Sequence, residues 1–84
     1  MRLQGRTAIV TGGGGGLGEG ICMCLAREGA HVVVSDLKLE LAEKVAAKVK
    51  EQGVKAMAIR TDVRKPDECK GMVEVTLKEM GRLD

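Results

Sequence analysis

The sequence of 84 residues predicts an α/β fold in which helices cover a parallel β-sheet. Short runs rich in β-branched residues alternate with longer stretches that repeat apolar residues at helical spacing, in the order β-α-β-α-β-α. Every connection between these stretches is short, which favours parallel strands joined by right-handed crossovers. The run His31–Ser35 contains three consecutive valines, as is typical of a strand that is buried on both faces.

The first half of the chain predicts two strands and one helix. Thr7–Thr11 is β-branched and is bounded by glycine, so it predicts strand 1. Leu17–Glu28 carries apolar residues at helical spacing, and Gly29 stands where a helix C-cap is expected. His31–Ser35 is strand 2 of the predicted sheet.

The second half predicts two helices and one strand. Leu39–Gln52 predicts helix 2, and Gly53 ends it. Lys55–Thr61 predicts strand 3. Helix 3 begins near Pro66, because proline is favoured in the first turn of a helix, and it ends at Gly81 after an apolar stripe of i, i+3, i+4 spacing.

The five consecutive glycines Gly12–Gly16 lie between strand 1 and helix 1, so they predict a binding loop rather than a linker. Unpaired amides at the first turn of a helix, together with the helix dipole, favour a phosphate at this position. Gly18 is expected to let helix 1 pack closely on the sheet. A P-loop is excluded because Glu19 stands where the lysine of that motif is required.

Asp36 ends strand 2, and it follows Gly12 by 24 positions. In a dinucleotide site, an acidic side chain at this position accepts hydrogen bonds from the hydroxyls of the adenosine ribose. The same carboxylate would repel a 2′-phosphate, and the glycine loop contains no Arg or Lys to attract one. The sequence therefore predicts NAD in preference to NADP, although Lys38 is near. The alternative interpretation of Asp36 is a cap of helix 2.

Four segments together resemble the N-terminal part of the short-chain dehydrogenase/reductase family. Residues 11–18 resemble the cofactor motif T-G-x-x-x-G-x-G of that family, and Gly29–Asp36 resembles its second strand with the acidic ribose anchor. Thr61–Val63 is similar to the end of its third strand, and Gly81–Asp84 is similar to the lead into its fourth strand.

The resemblance implies a Rossmann-type domain that binds NAD. The implied parent enzyme is an oxidoreductase that transfers a hydride between nicotinamide and an alcohol or carbonyl substrate. Two residues after strand 3 are implied to flank the adenine ring. The implied cofactor-binding residues are Gly12, Gly14, Gly15, Gly16, Leu17, Gly18, Asp36, Leu37, Asp62 and Val63.

The resemblance implies no catalytic residue within this chain. The catalytic Asn, Ser, Tyr and Lys of the family lie beyond the position of Asp84, and the sequence contains neither Asn nor Tyr. Its one serine, Ser35, belongs to strand 2. We therefore expect residues 1–84 to form a partial dinucleotide-binding domain that stops before strand 4 and does not turn over a substrate by itself.

Two other functions remain open at this point. A methyltransferase-type domain that binds S-adenosylmethionine also has a glycine loop after strand 1 and an acidic residue after strand 2. Such a domain usually has an acidic residue just before the glycines, where this chain has Val10-Thr11. The second alternative is a non-catalytic assembly fragment whose glycine loop is vestigial.

Composition limits the classes of partner. The net charge is +2, the charges are scattered and the chain has no aromatic residue, so we expect no nucleic-acid partner. No apolar run is long enough for a membrane span and no signal segment is recognisable, so we expect a soluble, cytoplasmic protein. Cys22, Cys24 and Cys69 are expected to be reduced thiols, and we expect no metal site.

The absence of strand 4 predicts self-association. In the strand order 3-2-1-4, the loss of strand 4 leaves strand 1, Thr7–Thr11, as an edge with no lysine or proline to protect it. Helix 3 is expected to cover the opposite face of the sheet alone, which would leave part of Val32–Val34 and Ala56–Ile59 under-protected. We expect a dimer that pairs strand 1 with strand 1 across a two-fold axis, or a swap of helix 3.

Overall fold

The computed structural model describes residues 3–12 and 14–81, and it contains the three strands and three helices in the expected order. This confirms the predicted α/β fold. The predicted lead into a fourth strand extends to residues 82–84, which lie outside the described residues. The elements are β1 (Thr7–Thr11), α1 (Gly16–Arg27), β2 (His31–Asp36), α2 (Leu39–Lys50), β3 (Ala56–Arg60) and α3 (Pro66–Met80).

The ends of the elements differ from the expected positions by one or two residues. α2 ends at Lys50 rather than Gln52 because the next residues form a turn, in which the Gly53 N–H donates to the Lys50 carbonyl at 3.0 Å. Gly53 has a φ of +86°, a backbone conformation that side chains disfavour. α3 ends as expected at Gly81, which is left-handed and donates its N–H to Leu77.

The three strands form one parallel sheet in the order β1-β2-β3, with β2 in the centre. Thr7 is opposite His31, and Val32 is opposite Ala56. The carboxyl ends of all three strands therefore lie at the same edge of the sheet, which we call the carboxyl edge. Each strand is followed there by the connection to its own helix, so the connections β1–α1, β2–α2 and β3–α3 are neighbours in space.

The main core lies between the sheet and the two helices α1 and α2. Val32 and Val34 of β2 are fully buried and point to this face together with Val10 of β1. The helices contribute the other buried members of the cluster, which are Cys22, Ala26, Ala42, Val45, Ala46 and Val49. Small and β-branched residues dominate this core, so the helices lie close to the sheet without any aromatic ring.

The opposite face of the sheet is better protected than the sequence indicated. Side chains alternate along a strand, so Val33 points away from the main core, and it is also fully buried. In α3, which does not contribute to the main core cluster, Met72 and Thr76 are also buried. The expectation that Val32–Val34 would be under-protected is therefore wrong, whereas Ala56–Ile59 of the edge strand β3 is only half-buried.

Candidate functional site

The glycine loop forms a tight turn between β1 and α1. Gly12 adopts a φ of +68°, and the Gly15 N–H donates to its carbonyl at 3.3 Å. Gly15 is the N-cap of α1, and the first helical hydrogen bond runs from the Glu19 N–H to the Gly15 carbonyl at 2.7 Å. The amides of the first turn have no acceptor within a helix, so they form a set of donors at the carboxyl edge. Gly13 lies outside the described residues.

A side chain would have different consequences at two glycines of the loop. A Cβ at Gly14 would lie 2.6 Å from the Leu41 Cβ, so this residue lets the loop approach α2 closely. A Cβ at Gly16 would have no heavy atom of the described residues within 4 Å, so it would project into the space beside the first turn. Gly18 lies in the first turn of α1 and is one of the buried residues of that helix.

Asp36 connects β2 to the glycine loop. One carboxylate oxygen, Oδ2, accepts a hydrogen bond from the Gly14 N–H at 3.1 Å. The other, Oδ1, accepts from the Lys38 N–H at 3.0 Å. The N-cap of α2 is Lys38, so the interpretation of Asp36 as the cap of that helix is wrong. The carboxylate instead lies against the loop, as a residue that contacts both a dinucleotide ribose and its pyrophosphate loop would have to do.

The end of β3 carries a second acidic residue at the same edge. The Thr61 N–H donates to the Asp36 carbonyl at 3.0 Å and so extends the pairing of the two strands. Asp62 follows directly, and its side chain is only 8% exposed. Its N–H donates to Oε1 of Glu68 at 3.0 Å, which ties the connection to the first turn of α3.

Arg64 determines the electrostatics of Asp62. The Arg64 backbone N–H and Nε both donate to Asp62 Oδ1 at 3.0 Å, and Arg64 Nη2 donates to Oδ2 at 2.9 Å. The hydrogen bonds from the Arg64 side chain are the main cause that lowers the pKa of Asp62 from 3.8 to about 2. The same pair raises the pKa of Arg64.

The sequence analysis missed Arg64 and Glu68. The signal for Arg64 is a basic residue two positions after an acidic one in a short connection, which allows a side chain to fold back on its neighbour. The signal for Glu68 is its place three residues after Lys65, the N-cap of α3, because an acid there can accept from backbone amides that precede the helix.

Apolar side chains are exposed beside these polar groups. Leu17, Leu37 and Val63 follow or flank the three connections at the carboxyl edge, and their exposed fractions are 83%, 48% and 57%. Exposed large apolar side chains beside polar groups are typical of a surface that binds a ligand or a partner. All described members of the predicted site therefore lie at one edge of the sheet. Among them, Gly15 donates to Gly12 within the glycine loop, and Gly14 donates to Asp36 across two connections.

The cysteines do not add a reactive centre to this edge. Cys22 is buried in α1, and burial is the main cause that raises the pKa of its thiol to about 11. Within residues 3–12 and 14–81, no group of three His, Cys, Asp or Glu side chains has the arrangement of a metal site. Over the same residues, no helix combines the length and the apolar character that a membrane crossing requires.

Comparison with known sequences gives closely similar oxidoreductases. An uncharacterized oxidoreductase of Bacillus subtilis, YxjF, is 49% identical over 84 residues, which are 100% of this chain and 32% of YxjF. The 7α-hydroxysteroid dehydrogenase of Escherichia coli is 34% identical over 84 residues, which are 33% of its length. The chain thus spans about a third of the length of these curated relatives.

Comparison with solved structures gives the same fold. NAD⁺-bound xylitol dehydrogenase superposes with a TM-score of 0.96 at 32% identity, over 100% of this chain and 32% of that chain. A 7α-hydroxysteroid dehydrogenase in complex with NADH and 7-oxo glycochenodeoxycholic acid superposes with a TM-score of 0.94 at 35% identity, over 99% of this chain and 32% of that chain.

The family model described as short chain dehydrogenase matches residues 6–84, which include the glycine loop, Asp36 and the end of β3. This match favours the dehydrogenase interpretation over a methyltransferase-type domain. With a Rossmann-like parallel sheet and oxidoreductases as relatives, this chain belongs to the short-chain dehydrogenase/reductase family.

Proposed function

We propose that the chain binds the adenosine and pyrophosphate half of NAD. In the whole enzyme, this half-site would hold the cofactor for hydride transfer to or from an alcohol or carbonyl substrate. The observation that carries the proposal is the Asp36 carboxylate, which ends β2 and accepts a hydrogen bond from Gly14 of the glycine loop. When bound, NAD supplies the hydride chemistry, and the residues of this chain supply binding and orientation.

The first turn of α1 is the proposed pyrophosphate site. Gly16, Leu17 and Gly18 follow the N-cap, so their amides are donors without helical acceptors. The helix dipole adds partial positive charge at this end, which favours a bound phosphate. Because a Cβ at Gly16 would meet no described atom within 4 Å, this part of the loop leaves room for a pyrophosphate beside the backbone.

Asp36 is the proposed ribose anchor. Among the described residues, each carboxylate oxygen accepts one hydrogen bond, Oδ2 at 3.1 Å and Oδ1 at 3.0 Å, and a carboxylate oxygen can accept two. The free lone pairs can therefore accept hydrogen bonds from the two ribose hydroxyls. A 2′-phosphate would instead bring a second anion against this carboxylate, so we propose a preference for NAD over NADP.

The connection after β3 is the proposed adenine site. The base of a dinucleotide bound with its ribose at Asp36 would extend towards β3, which is the neighbour of β2. Leu37 and Val63 offer exposed apolar surface there for the faces of the ring, and Asp62 offers a hydrogen-bond acceptor. We assign no catalytic role to any residue of the chain, because the sequence contains neither Asn nor Tyr.

An NAD titration that is monitored through the NMR chemical shifts of the backbone amides tests the proposal. We expect Asp36→Ala to weaken NAD binding about ten- to a hundredfold, because hydrogen bonds to a charged group are lost. Glu51→Ala is the matched control, since it removes the same charge at the C-cap of α2, at the opposite edge of the sheet. We expect this control to bind NAD as the native chain does.

The outcomes separate the remaining alternatives. Equal affinities of the native chain for NAD and NADP would contradict the role of Asp36 in cofactor choice. Shifts caused by S-adenosylmethionine but not by NAD would contradict the proposed cofactor. No shift with NAD at millimolar concentration would show that the loop is vestigial.

We also propose that the isolated chain self-associates through the free edge of β1. Within the described part of the chain, β1 pairs with β2 on one side alone. The strand contains no charged residue and no proline that would protect this edge from pairing with a second copy.

A further inference from the structure

Arg64 closes around the carboxylate of Asp62 with three hydrogen bonds. Its backbone N–H and Nε reach Oδ1, and its Nη2 reaches Oδ2. The Arg64 side chain itself is 80% exposed, whereas the Asp62 side chain is 8% exposed. The arginine therefore lies over the acid at the surface of the protein.

The hydrogen bonds fill the acceptor positions of Asp62 unequally. Each oxygen of a carboxylate offers about two lone-pair positions. Oδ1 already accepts two hydrogen bonds from Arg64, so it is saturated. Among the described residues, Oδ2 accepts one hydrogen bond, from Nη2, so one acceptor position of this oxygen is left for a donor from outside the chain.

The backbone of Asp62 is also fixed. Its N–H donates to Glu68 Oε1 at 3.0 Å, and the preceding Thr61 N–H donates to the Asp36 carbonyl at 3.0 Å. Glu68 is itself held by Arg60 Nη1 at 3.3 Å. These contacts therefore fix the position of Asp62 Oδ2 relative to Asp36, the proposed ribose anchor.

We propose that Arg64 is a positioning residue that selects the adenine base of the dinucleotide. It fixes Asp62 so that the remaining lone pair of Oδ2 accepts a hydrogen bond from the exocyclic amino group of adenine. A base with a carbonyl oxygen at the same position, such as hypoxanthine, would place an acceptor against this oxygen and would be disfavoured. The inference rests on the proposed NAD function, and it adds to it the residue that sets the choice of base.

The test compares NAD with nicotinamide hypoxanthine dinucleotide, which differs from NAD at this one group. The ratio of the two dissociation constants is measured by NMR titration for the native chain and for three variants. We expect the native chain to prefer NAD by about tenfold, the effect of a single charged hydrogen bond that is made or lost. In Arg64→Ala, we expect this ratio to fall to near one.

Two further variants separate hydrogen bonding from charge. Arg64→Lys keeps the positive charge but cannot donate two parallel hydrogen bonds, so we expect it to lose the preference as Arg64→Ala does. Lys65→Ala removes a neighbouring positive charge whose ammonium group pairs with Glu68, and it keeps the backbone hydrogen bond from residue 65 to the Asp62 carbonyl. We therefore expect it to keep the native ratio. Circular dichroism melting of every variant confirms that it is folded.

Several outcomes would overturn the inference. A native ratio near one would show that Asp62 does not distinguish the bases, even though NAD binds. An unchanged ratio of dissociation constants in Arg64→Ala would show that Arg64 does not position Asp62. Equally tighter binding of both dinucleotides by this variant would show that Arg64 merely blocks Asp62. Failure of the native chain to bind either dinucleotide would overturn the proposed NAD function, and this inference with it.

Discussion

The carboxylate of Asp62 differs from an ordinary surface acid because Arg64 holds both of its oxygens. The interaction stabilises the charged form, so the acid keeps its negative charge at a position where its side chain is largely covered. Asp36 is held differently, by backbone amides of Gly14 and Lys38. Two acids at one edge of the sheet are thus oriented by two different kinds of donor.

The Asp62–Arg64 pair predicts a defined pH dependence. NMR titration of the side-chain carboxyl carbon should give a pKa of about 2 for Asp62, and Arg64→Ala should raise it towards 3.8. Because the pKa is lower in the folded than in the unfolded chain, ionised Asp62 favours folding above about pH 4. This contribution is lost as the pH falls from about 4 to about 2, and the Arg64→Ala variant should lack that part of the pH dependence.

Lys65→Ala is the control for the titration, because the charge of Lys65 is the last of the causes of the low pKa of Asp62 and the substitution keeps the backbone hydrogen bond from residue 65 to the Asp62 carbonyl. It should leave the titration of Asp62 almost unchanged. A pKa of Asp62 that stays about 2 in Arg64→Ala would show that backbone hydrogen bonds, rather than the arginine side chain, lower it.

At the scale of the elements, the glycine loop is shaped by its contact with α2 as well as by its exposed amides. A Cβ at Gly14 would meet Leu41 Cβ at 2.6 Å and the Leu41 carbonyl carbon at 3.0 Å. These atoms belong to the backbone of a helix or are attached directly to it, so they cannot rotate away. The loop and α2 therefore fit each other only when this residue lacks a side chain.

Substitution of two glycines should separate stability from binding. Gly14→Ala should lower the free energy of unfolding by about 1–3 kcal/mol, since the loop or α2 must move to accept the methyl group. Gly16→Ala should leave it unchanged or raise it by up to ~1 kcal/mol, because alanine favours a helix and meets no described atom within 4 Å. Gly16→Ala should nevertheless weaken NAD binding, because its methyl group occupies the proposed pyrophosphate site.

Urea unfolding that is monitored by circular dichroism measures the free energy of unfolding of each variant. NMR titration with NAD measures the affinity of each variant for the cofactor. Equal stabilities of Gly14→Ala and the native chain would show that the loop is not pressed against α2. Native NAD affinity in Gly16→Ala would place the pyrophosphate elsewhere.

The order and type of the elements could be predicted because local patterns determine them. The β-branched run Thr7–Thr11, the valines of β2 and the left-handed glycines after the helices each act within a few residues. The features that could not be predicted depend on contacts between elements. The need for a glycine at position 14, for example, follows from the approach of α2.

At the scale of the whole molecule, β1 pairs within the described residues with β2 alone, and an apolar row of α1 lies beside it. Three rows of residues run along this helix at i, i+4 spacing. The row Gly18, Cys22 and Ala26 is buried, and the neighbouring row begins with Glu19, which binds Lys48 of α2 at 2.9 Å. The row on the other side, residues 17, 21 and 25, is apolar and therefore lies away from α2, on the side of the free edge of β1.

This arrangement predicts that Ile21 contributes to self-association. Light scattering coupled to size exclusion, at tens of micromolar chain, should show a dimer or larger species for the native protein. Ile21→Lys should shift it to the monomer, because a charge would be buried between two copies. Leu77→Lys is the matched control on α3, since Leu77 is 47% exposed and Ile21 is 45% exposed. A folded native monomer, or equal effects of the two substitutions, would contradict this interface.

The central position of β2 has a consequence for the order in which the molecule opens. Both parallel pairings of the sheet depend on this strand, and each joins residues that are far apart in the chain, such as Thr7 with His31 and Val32 with Ala56. Local fluctuations can therefore release α3 or the glycine loop while β2 stays paired, but the loss of β2 ends both pairings at once. Asp36 is the last residue of that strand, so we expect the proposed ribose anchor to belong to the cooperative unit that holds both pairings, whereas the glycine loop lies outside the paired strands.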